Sequence, residues 1–518
     1  MGIRGILIVV TAAVASLLEI IDTSIVNVAI PTMMGNIGAT LDDISWVSTG
    51  YMIANSIILP ISGWLGMRFG RKNYFTLAII AFTTASFMCG AAPNLGFLVM
   101  CRIVQGLAGG ALLPTSQTLI QEQFPQEKAG LAMAIFGMSI MVGPALGPTV
   151  GGYLTDNFGW RSIFYVNVPL GLIAGLLSWR NVTDQEGSGR EAEMAKKAGV
   201  DWTGLFLLCI TIGCFQYILE RGQEDQWFES KTIRTCAGLS LSGFIAFIYW
   251  ELHTAHPILD LRLFKTNVVR WGSFLMLVLG ILIYALTFVI PIFVSTIIPA
   301  MSATQTGLLF IPGSVATAAL MVPAGLLLKW FPPKTLVVVG LVLSETLLLI
   351  MARLTSISGS DDVLVPMLIR GMAMPFLFVP INQMVLGSVD RSILANVASL
   401  QNFFRQVGGS IGISLLSTLL SRYGAQNYLE LMSTVNALNS ATLLSGGAGA
   451  SHMASQLGMA TPALLSAKSL HGRALLQSFS LSFEQLCATI MVIVACGVIP
   501  VIFIKPKKHT GPPVMNAH

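Results

Sequence analysis

Apolar residues fall in blocks long enough to cross a bilayer, one after another along nearly the whole chain, and this pattern decides its class. A helix needs about 20 predominantly apolar residues to traverse a hydrocarbon core about 30 Å thick. Blocks of that kind lie at roughly 6–31, 46–66, 74–92, 97–120, 130–154, 160–179, 202–219, 235–252, 270–296, 304–328, 335–352, 363–387, 394–420 and 483–504. They predict an all-α integral membrane protein of about fourteen spans. Only 10% of the residues are charged, against about 25% in an ordinary soluble domain. A soluble globule with a large core is a poor reading of such a chain.

The basic residues report topology. If the spans alternate, the connectors holding Arg68, Arg71 and Lys72, then Arg180, Arg190, Lys196 and Lys197, then Arg262, Lys265 and Arg270 share one side with Lys505, Lys507 and Lys508 of the tail. The alternate connectors 33–45, 91–96 and 297–305 contain no Lys or Arg. The positive-inside rule makes the basic side cytoplasmic, and an even number of spans puts both termini there. The net charge of +5 is modest and forms no aromatic-interleaved patch, which gives nucleic-acid binding no support. Arg4 and the apolar run to Ala15 have the outline of a secretory signal. The run continues to about Pro31 with polar residues inside it, so it is read as a retained first span.

Seven cysteines lie in or beside apolar blocks with no CxxC pair, so they read as small buried hydrophobes. No motif calls for a metal or a cofactor. The expected organisation is an N-terminal six-helix bundle over 1–180, a cytoplasmic linker with two additional spans over 181–265, a C-terminal six-helix bundle over 266–504, and a cytoplasmic tail over 505–518. A long external connector at about 421–482 interrupts the second bundle, with weak helical stretches at Gln426–Ala437 and Met453–Leu475. Its length suggests a contact surface.

The halves echo each other: Gly63-Trp64-Leu65, Phe69 and Lys72 recur as Gly325-Leu326-Leu327, Phe331 and Lys334, and each is followed at a similar interval by an arginine inside a span, Arg102 or Arg370. Transporters built from duplicated bundles show such symmetry, with the substrate site between them near the midplane. Gly143, Gly147 and Gly151, four apart, make one small-residue face on the fifth span, with Gly152 beside it. That face admits close helix approach, suited to holding a rocking interface closed, while Pro144 and Pro148 bend the segment.

A charge at the centre of a span costs about 2.5–3.5 kcal/mol on insertion scales, so each one is a functional candidate. Glu19 and Asp22 share a face of the first span, where two carboxyls in lipid are poised to load and release a proton. Glu345 in the eleventh span reads as locally paired or holding a membrane-depth hydrogen bond, ahead of a proton-carrying role. Asn27, Asn55, Gln105, Gln117, Arg370, Asn382, Gln383, Asn402, Arg405 and Gln406 are candidates to line a cavity, with Met and Phe supplying adaptable apolar walls.

Several segments carry a family resemblance. Ile21-Asp22-Thr23-Ser24-Ile25-Val26-Asn27-Val28-Ala29-Ile30-Pro31 is similar to an LDxTIVNVAxP signature, Leu98–Gly110 to an lxRxxqGxgaa helix, and Gly143–Gly152 to a GPxxGG antiporter motif. Gly63 to Lys72, including Gly70 and Arg71, resembles a GxLaDrxGrk loop with Met67 at the acidic position. Val166-Asn167-Val168-Pro169-Leu170-Gly171 also recurs in the same group. Together they resemble the major facilitator superfamily, specifically its fourteen-helix drug:proton antiporters of the EmrB/QacA type, over nearly the whole chain.

The resemblance implies two six-helix bundles plus two additional helices, export of small hydrophobic compounds in exchange for protons, and proton coupling through Asp22. It also sets the fourth span beside the first, where Arg102 would pair with Asp22 or Glu19. The long external connector is similar to that of Gram-negative inner-membrane members that work with a periplasmic adaptor and an outer-membrane channel. Met67 puts any latch built on the motif acid in doubt.

Other classes fit less well. No GxxxxGK[ST] loop serves an ATP-driven pump, and no HExxH or GxSxG serves a membrane-embedded enzyme. A channel would not need buried carboxylates paired with arginine. A dedicated exporter of one metabolite, such as a siderophore or fatty acid, stays open beside a broad drug pump.

Overall fold

The computed structural model describes residues 2–125, 128–183, 201–254, 257–297, 305, 308–355, 358–390, 393–437 and 462–504. The helices are α1 Ile3–Ile37, α2 Asp42–Phe69, α3 Arg71–Gly90, α4 Leu95–Glu122, α5 Ala129–Phe158, α6 Ser162–Asn181 and α7 Trp202–Arg221. They continue with α8 Lys231–His253, α9 Asn267–Ile297, α10 Ile311–Leu327, α11 Pro333–Met351, α12 Ser360–Leu386, α13 Leu394–Ala437 and α14 Pro462–Cys496, the last prolonged by Val498–Phe503. Twelve of these are long and apolar enough to span outright. α5 joins them as a span bent by 41° between Pro144 and Leu146, where the missing proline N–H opens the helical ladder. α10, with 17 residues, is at the short end of what crosses a bilayer, about 17–25.

Boundaries follow local chemistry. The Thr40 hydroxyl accepts from the Asp43 N–H to open α2, the Asn94 side chain caps Phe97 at the start of α4, and Asp201 caps Gly204 in α7. Gly70, at φ 82, makes the turn between α2 and α3 that a side chain would resist.

The duplicated pattern is visible in the packing. α1 packs most extensively on α5 and α9 on α13; α2 on α4 and α10 on α12; α3 on α4 and α11 on α12. Each half is thus the same arrangement of six helices, with α7 and α8 paired to each other and inserted between them in sequence.

The halves meet unevenly. At the end carrying Arg68 and Arg71, here the basic side, α5 packs on α10 and α12, and the last turns of α2 pack on α13. A Cβ on Gly130 or on Gly325 would run into the carbonyl of the other, so the α5–α10 crossing depends on both glycines. One large hydrophobic core runs through both halves, whereas Ile25, Val26, Ala29, Met33, Val47, Leu98 and Phe164 belong to a second core confined to the first half at the opposite side.

The expected connector at 421–482 differs from the structure. α13 runs unbroken to Ala437 and α14 begins at Pro462, so the ends of that segment prolong the two spans instead of leaving them. Asn427 donates to Ser482 (2.9 Å) and Gln485 (3.2 Å), and the Tyr428 hydroxyl meets His471 at 2.7 Å. The expected helix at Met453–Leu475 lies outside the described residues up to 461. So do Arg190, Lys196 and Lys197, most of 297–305, and the tail 505–518 with its three lysines.

Candidate functional site

α1 carries the two acids three residues apart, and the structure gives them different surroundings. Asp22 is 0% exposed. Its Oδ2 accepts from Arg102 Nη1 at 2.6 Å, and its Oδ1 accepts from Gln105 Nε2 and Asn167 Nδ2, each at 2.8 Å. Arg102, 1% exposed on α4, also donates to Gln105 Oε1 (2.8 Å) and through Nε to the Val47 carbonyl (3.1 Å). Its guanidinium lies over the Tyr51 ring at 4.1 Å, a cation–π contact that offsets part of its desolvation. Asn167 is anchored by Ser86, which in turn donates to the Phe164 carbonyl. Donors from α4 and α6 therefore converge on one carboxylate of α1, and α2 holds the arginine that pairs with it.

Glu19, one turn away, has a single donor, Asn55 Nδ2 at 2.9 Å on α2, and its Oε2 is buried without a partner. The nearby Tyr51 hydroxyl, also within reach of Gly109, is equally unpartnered. The pairing expected of Arg102 thus falls on Asp22, and Glu19 is left half-satisfied.

The glycines of α5 explain how α1 is held. Added Cβ atoms on Gly143, Gly147 and Gly151 would strike Ile20, Ser24 and Ile25 of α1. The stripe expected at a rocking interface packs inside its own half instead and seats the backbone that carries Glu19 and Asp22; Gly152 beside it is buried. Contact between halves uses Gly130 and Gly137 on the same helix, the latter against Phe378 and Met321.

The remaining candidates separate into groups. Gln117 of α4, Asn382 of α12 and Asn402 of α13 form a buried amide trio: Gln117 Nε2 donates to Asn382 Oδ1 at 2.6 Å, and Asn402 Nδ2 donates to Gln117 Oε1 at 2.5 Å. This trio ties the two halves together toward the basic side. Arg405 of α13, 2% exposed, makes a long bond to Asn402 (3.4 Å), engages Tyr284, lies close enough to Glu19 to attract it, and keeps an unpartnered Nε. Gln406 accepts from Tyr284 (3.2 Å) and approaches Met52 of the first half (3.5 Å). Arg370 of α12 donates to Thr287 of α9 at 3.1 Å and lies over the Phe310 ring at 5.4 Å. Gln383 keeps a buried, unpartnered Oε1. Asn27 is exposed and accepts from Ser48 at 3.3 Å, apart from the other candidates. At the basic end Arg71 pairs with Glu122, and Gly63 packs against Ala395 and Asn396 of α13, so helix packing joins the halves there without the carboxylate that Met67 replaces.

Sequence reasoning missed Asn167, Tyr51 and Ser86. Asn167 lies in a segment whose family resemblance was noted, and a polar residue near the start of an apolar span was its available signal. Tyr51 and Ser86 carry no such signal, because a tyrosine or serine costs little in any span.

The arrangement is that of a membrane transporter with a buried ion pair. Residues 12–413 match the Major Facilitator Superfamily family model, and the chain belongs to that superfamily. It is 33% identical over 84% of its length to the Multidrug export protein EmrB of Haemophilus influenzae, covering 84% of that protein. It is 32% identical over 81% of its length to the Fatty acid resistance protein FarB of Neisseria gonorrhoeae, covering 82% of it. Its fold is similar to that of the proton:xylose symporter XylE, with a TM-score of 0.59 at 13% identity and 94% of each chain covered. The chain is a multi-pass bacterial membrane transporter of the major facilitator fold.

Proposed function

We propose that this protein is a proton-coupled multidrug exporter working by alternating access, with 1–180 and 266–504 as the two moving bundles. The observation that carries it is the buried Asp22–Arg102 pair, 2.6 Å apart in the middle of the first bundle, one turn from the half-satisfied Glu19. Removing one partner of such a pair strands the other in low dielectric, so protonation of Asp22 and release of Arg102 are one event. Glu19, with its free oxygen, is the simpler place for a proton to land, and Asp22 is the lock that the proton must open. Protons arriving from outside displace substrate outward, and deprotonation toward the inside resets the pair. One proton moving through 100 mV supplies about 2.3 kcal/mol, enough for roughly fifty-fold accumulation.

The basic side is read as cytoplasmic, which places both termini inside and the protein in the inner membrane. With the halves sharing one core on that side and the first half keeping a separate core on the other, the structure is read as outward-facing. The multidrug reading is supported by the named activity of EmrB relatives. The helical prolongations of α13 and α14 offer a surface for a periplasmic adaptor leading to an outer-membrane channel. Deleting 428–471 removes the Tyr428–His471 pair but keeps the Asn427–Ser482 contact. It should abolish co-purification with an adaptor and leave flux in proteoliposomes intact; adaptor retained after the deletion would take that surface out of the assembly.

Proteoliposomes under an imposed pH gradient test the core of the reading. A lipophilic fluorescent dye should be driven by the unmodified protein and not by Asp22→Asn, while both still bind it. Equal flux in both removes Asp22 from the mechanism. A second reading, export of fatty acids, is favoured by Arg405, whose buried guanidinium keeps an unpartnered Nε and suits a carboxylate, and by the name of the FarB relative. Competition between dye and fatty acid in the same vesicles separates the two.

A further inference from the structure

The inserted helix α7 has the wrong inner face for a passive span. A helix added at the edge of a bundle needs only apolar side chains, since a charge within a span is costly and marks a function by default. Gln216, Glu220 and Arg221 nonetheless lie in its last turns, Gln216 fully buried and Arg221 nearly so.

These residues reach to both halves. Arg221 Nη1 donates to the Asp42 carbonyl at 3.2 Å and to the Ser45 hydroxyl at the start of α2, Tyr217 packs on Trp46 with ring centroids 5.9 Å apart, and Gly213 rests on Ile57. On the other flank Gln216 Nε2 donates to Ser410 of α13 at 2.6 Å, and Trp227 Nε1, just beyond α7, donates to Thr418 of α13 at 3.2 Å. α7 packs more extensively along α2 than along α13. The grip on the first half is broad and partly apolar; the grip on the second is narrower, centred on Gln216 and Glu220 at Ser410 and on Trp227 at Thr418.

The turn that aims Trp227 is strained. Gln226 and Trp227 stand at φ 57 and 52, the only non-glycine residues with positive φ among those described. Two consecutive residues held in the left-handed region persist only where their surroundings fix them, and such strain gathers at elements that switch. Here the fixing contacts are the Trp227 bonds to Thr418 and to Gln223 Oε1 (3.1 Å), together with the Trp227 N–H bond to the Gly222 carbonyl (2.6 Å).

We propose that α7 is a strut that travels with the first bundle and clasps the second, so that Gln216 and Trp227 are positioning residues whose contacts on α13 form in this access state and break in the other. Away from the basic side the α2–α13 seam is bridged by α7, with Gln406 against Met52 the one direct polar approach between those two helices among the described residues. When the bundles rock, the separation of α2 and α13 on this side must change, and the weaker of the two grips yields. The strained turn favours release, and the hydrogen bonds to Ser410 and Thr418 oppose it.

This inference rests on the alternating-access reading, and its test separates the two. In a variant with the native cysteines replaced, two pairs are bridged with a short bis-methanethiosulfonate reagent: Gln216→Cys with Ser410→Cys, and Ser45→Cys with Arg221→Cys. Bridging 216 to 410 should lower gradient-driven dye flux by about tenfold or more, leave dye binding intact, and be reversed by reductant, because a conformational step has been blocked. Bridging 45 to 221 should leave flux unchanged. Full flux after the 216–410 bridge, or a block from 45–221 alone, overturns the strut. If the cysteine-replaced protein does not fold, Trp227→Phe in the native sequence keeps the ring and removes the donor. It should shift turnover by about 2–5-fold with the half-saturating dye concentration unchanged, and unaltered turnover overturns the proposal. Absence of gradient-driven flux in the unmodified protein would instead sink the exporter reading itself.

Discussion

Arg102 and Arg370 occupy corresponding helices of the two halves, α4 and α12, and each reaches across to the first helix of its own half, α1 or α9. There the likeness ends. Arg102 meets the Asp22 carboxylate at 2.6 Å with further bonds to Gln105 and Val47; among the described residues Arg370 meets the Thr287 hydroxyl and the Phe310 ring, and its Nε is left without a partner. Duplication preserved the helix framework and an arginine on the corresponding helix of each half, but among the described residues only the first half pairs that arginine with a carboxylate. A carboxylate can be discharged by a proton and a threonine cannot, so in the proposed exchange the first bundle would supply the coupling chemistry and the second a shape to move against.

The largest effect expected from that difference belongs to Arg102→Gln. It leaves Asp22 buried with its two amide donors but no cation, and stranding one member of a buried pair costs about 3–5 kcal/mol. Thermal unfolding of the purified protein should drop accordingly, and gradient-driven flux should be lost with it. A variant as stable as the parent would mean that Asp22 carries no charge in this state, and the lock would have to be relocated to Glu19.

How far the sequence announced this site depends on what each residue costs in lipid. Asp22, Glu19 and Arg102 stand out because a charge in an apolar block has few innocent explanations. The spans are legible for the same reason, since block length and basic connectors report on bilayer thickness and sidedness. Partner choice is not legible: nothing in the spacing of Glu19 and Asp22 says that one is held by three donors and the other by one, because those donors come from α2, α4 and α6. The glycine stripe of α5 was recognisable as a close-packing face, yet its partner proved to be α1 of the same half, since periodicity defines a face and not what lies opposite. Gln216, Glu220 and Arg221 sit within two turns of a span's end, where a polar residue ordinarily faces the headgroups, and only the fold turns them inward.

A middle effect is expected where the halves hold each other. Asn382→Leu removes the acceptor of Gln117 from the amide trio and leaves a buried amide N–H unsatisfied, at a cost of about 1–3 kcal/mol. Because the trio is uncharged, its loss should act on the balance between access states without touching proton binding. Cysteine-reagent labelling at the basic side should rise while the dependence of flux on the pH gradient keeps its shape. A change in proton dependence would show that the second half takes part in coupling after all, and the comparison would have to be redrawn.

The smallest effect is expected from Arg370→Gln, and it is the sharpest test of the asymmetry. Glutamine can still donate to the Thr287 hydroxyl, no carboxylate among the described residues is stranded by the change, and the guanidinium it replaces has an unpartnered Nε and one neutral hydrogen bond. Losing a bond of that kind costs about 0.5–1.5 kcal/mol, and removing a desolvated charge offsets part of it. Unfolding should therefore move by less than the Arg102→Gln shift by a factor of about three, with gradient-driven flux retained. Should Arg370→Gln abolish flux as completely as Arg102→Gln, the two arginines would be equivalent in function despite their different partners. The switch would then reside in the paired arginines themselves and not in the carboxylate that only one of them holds.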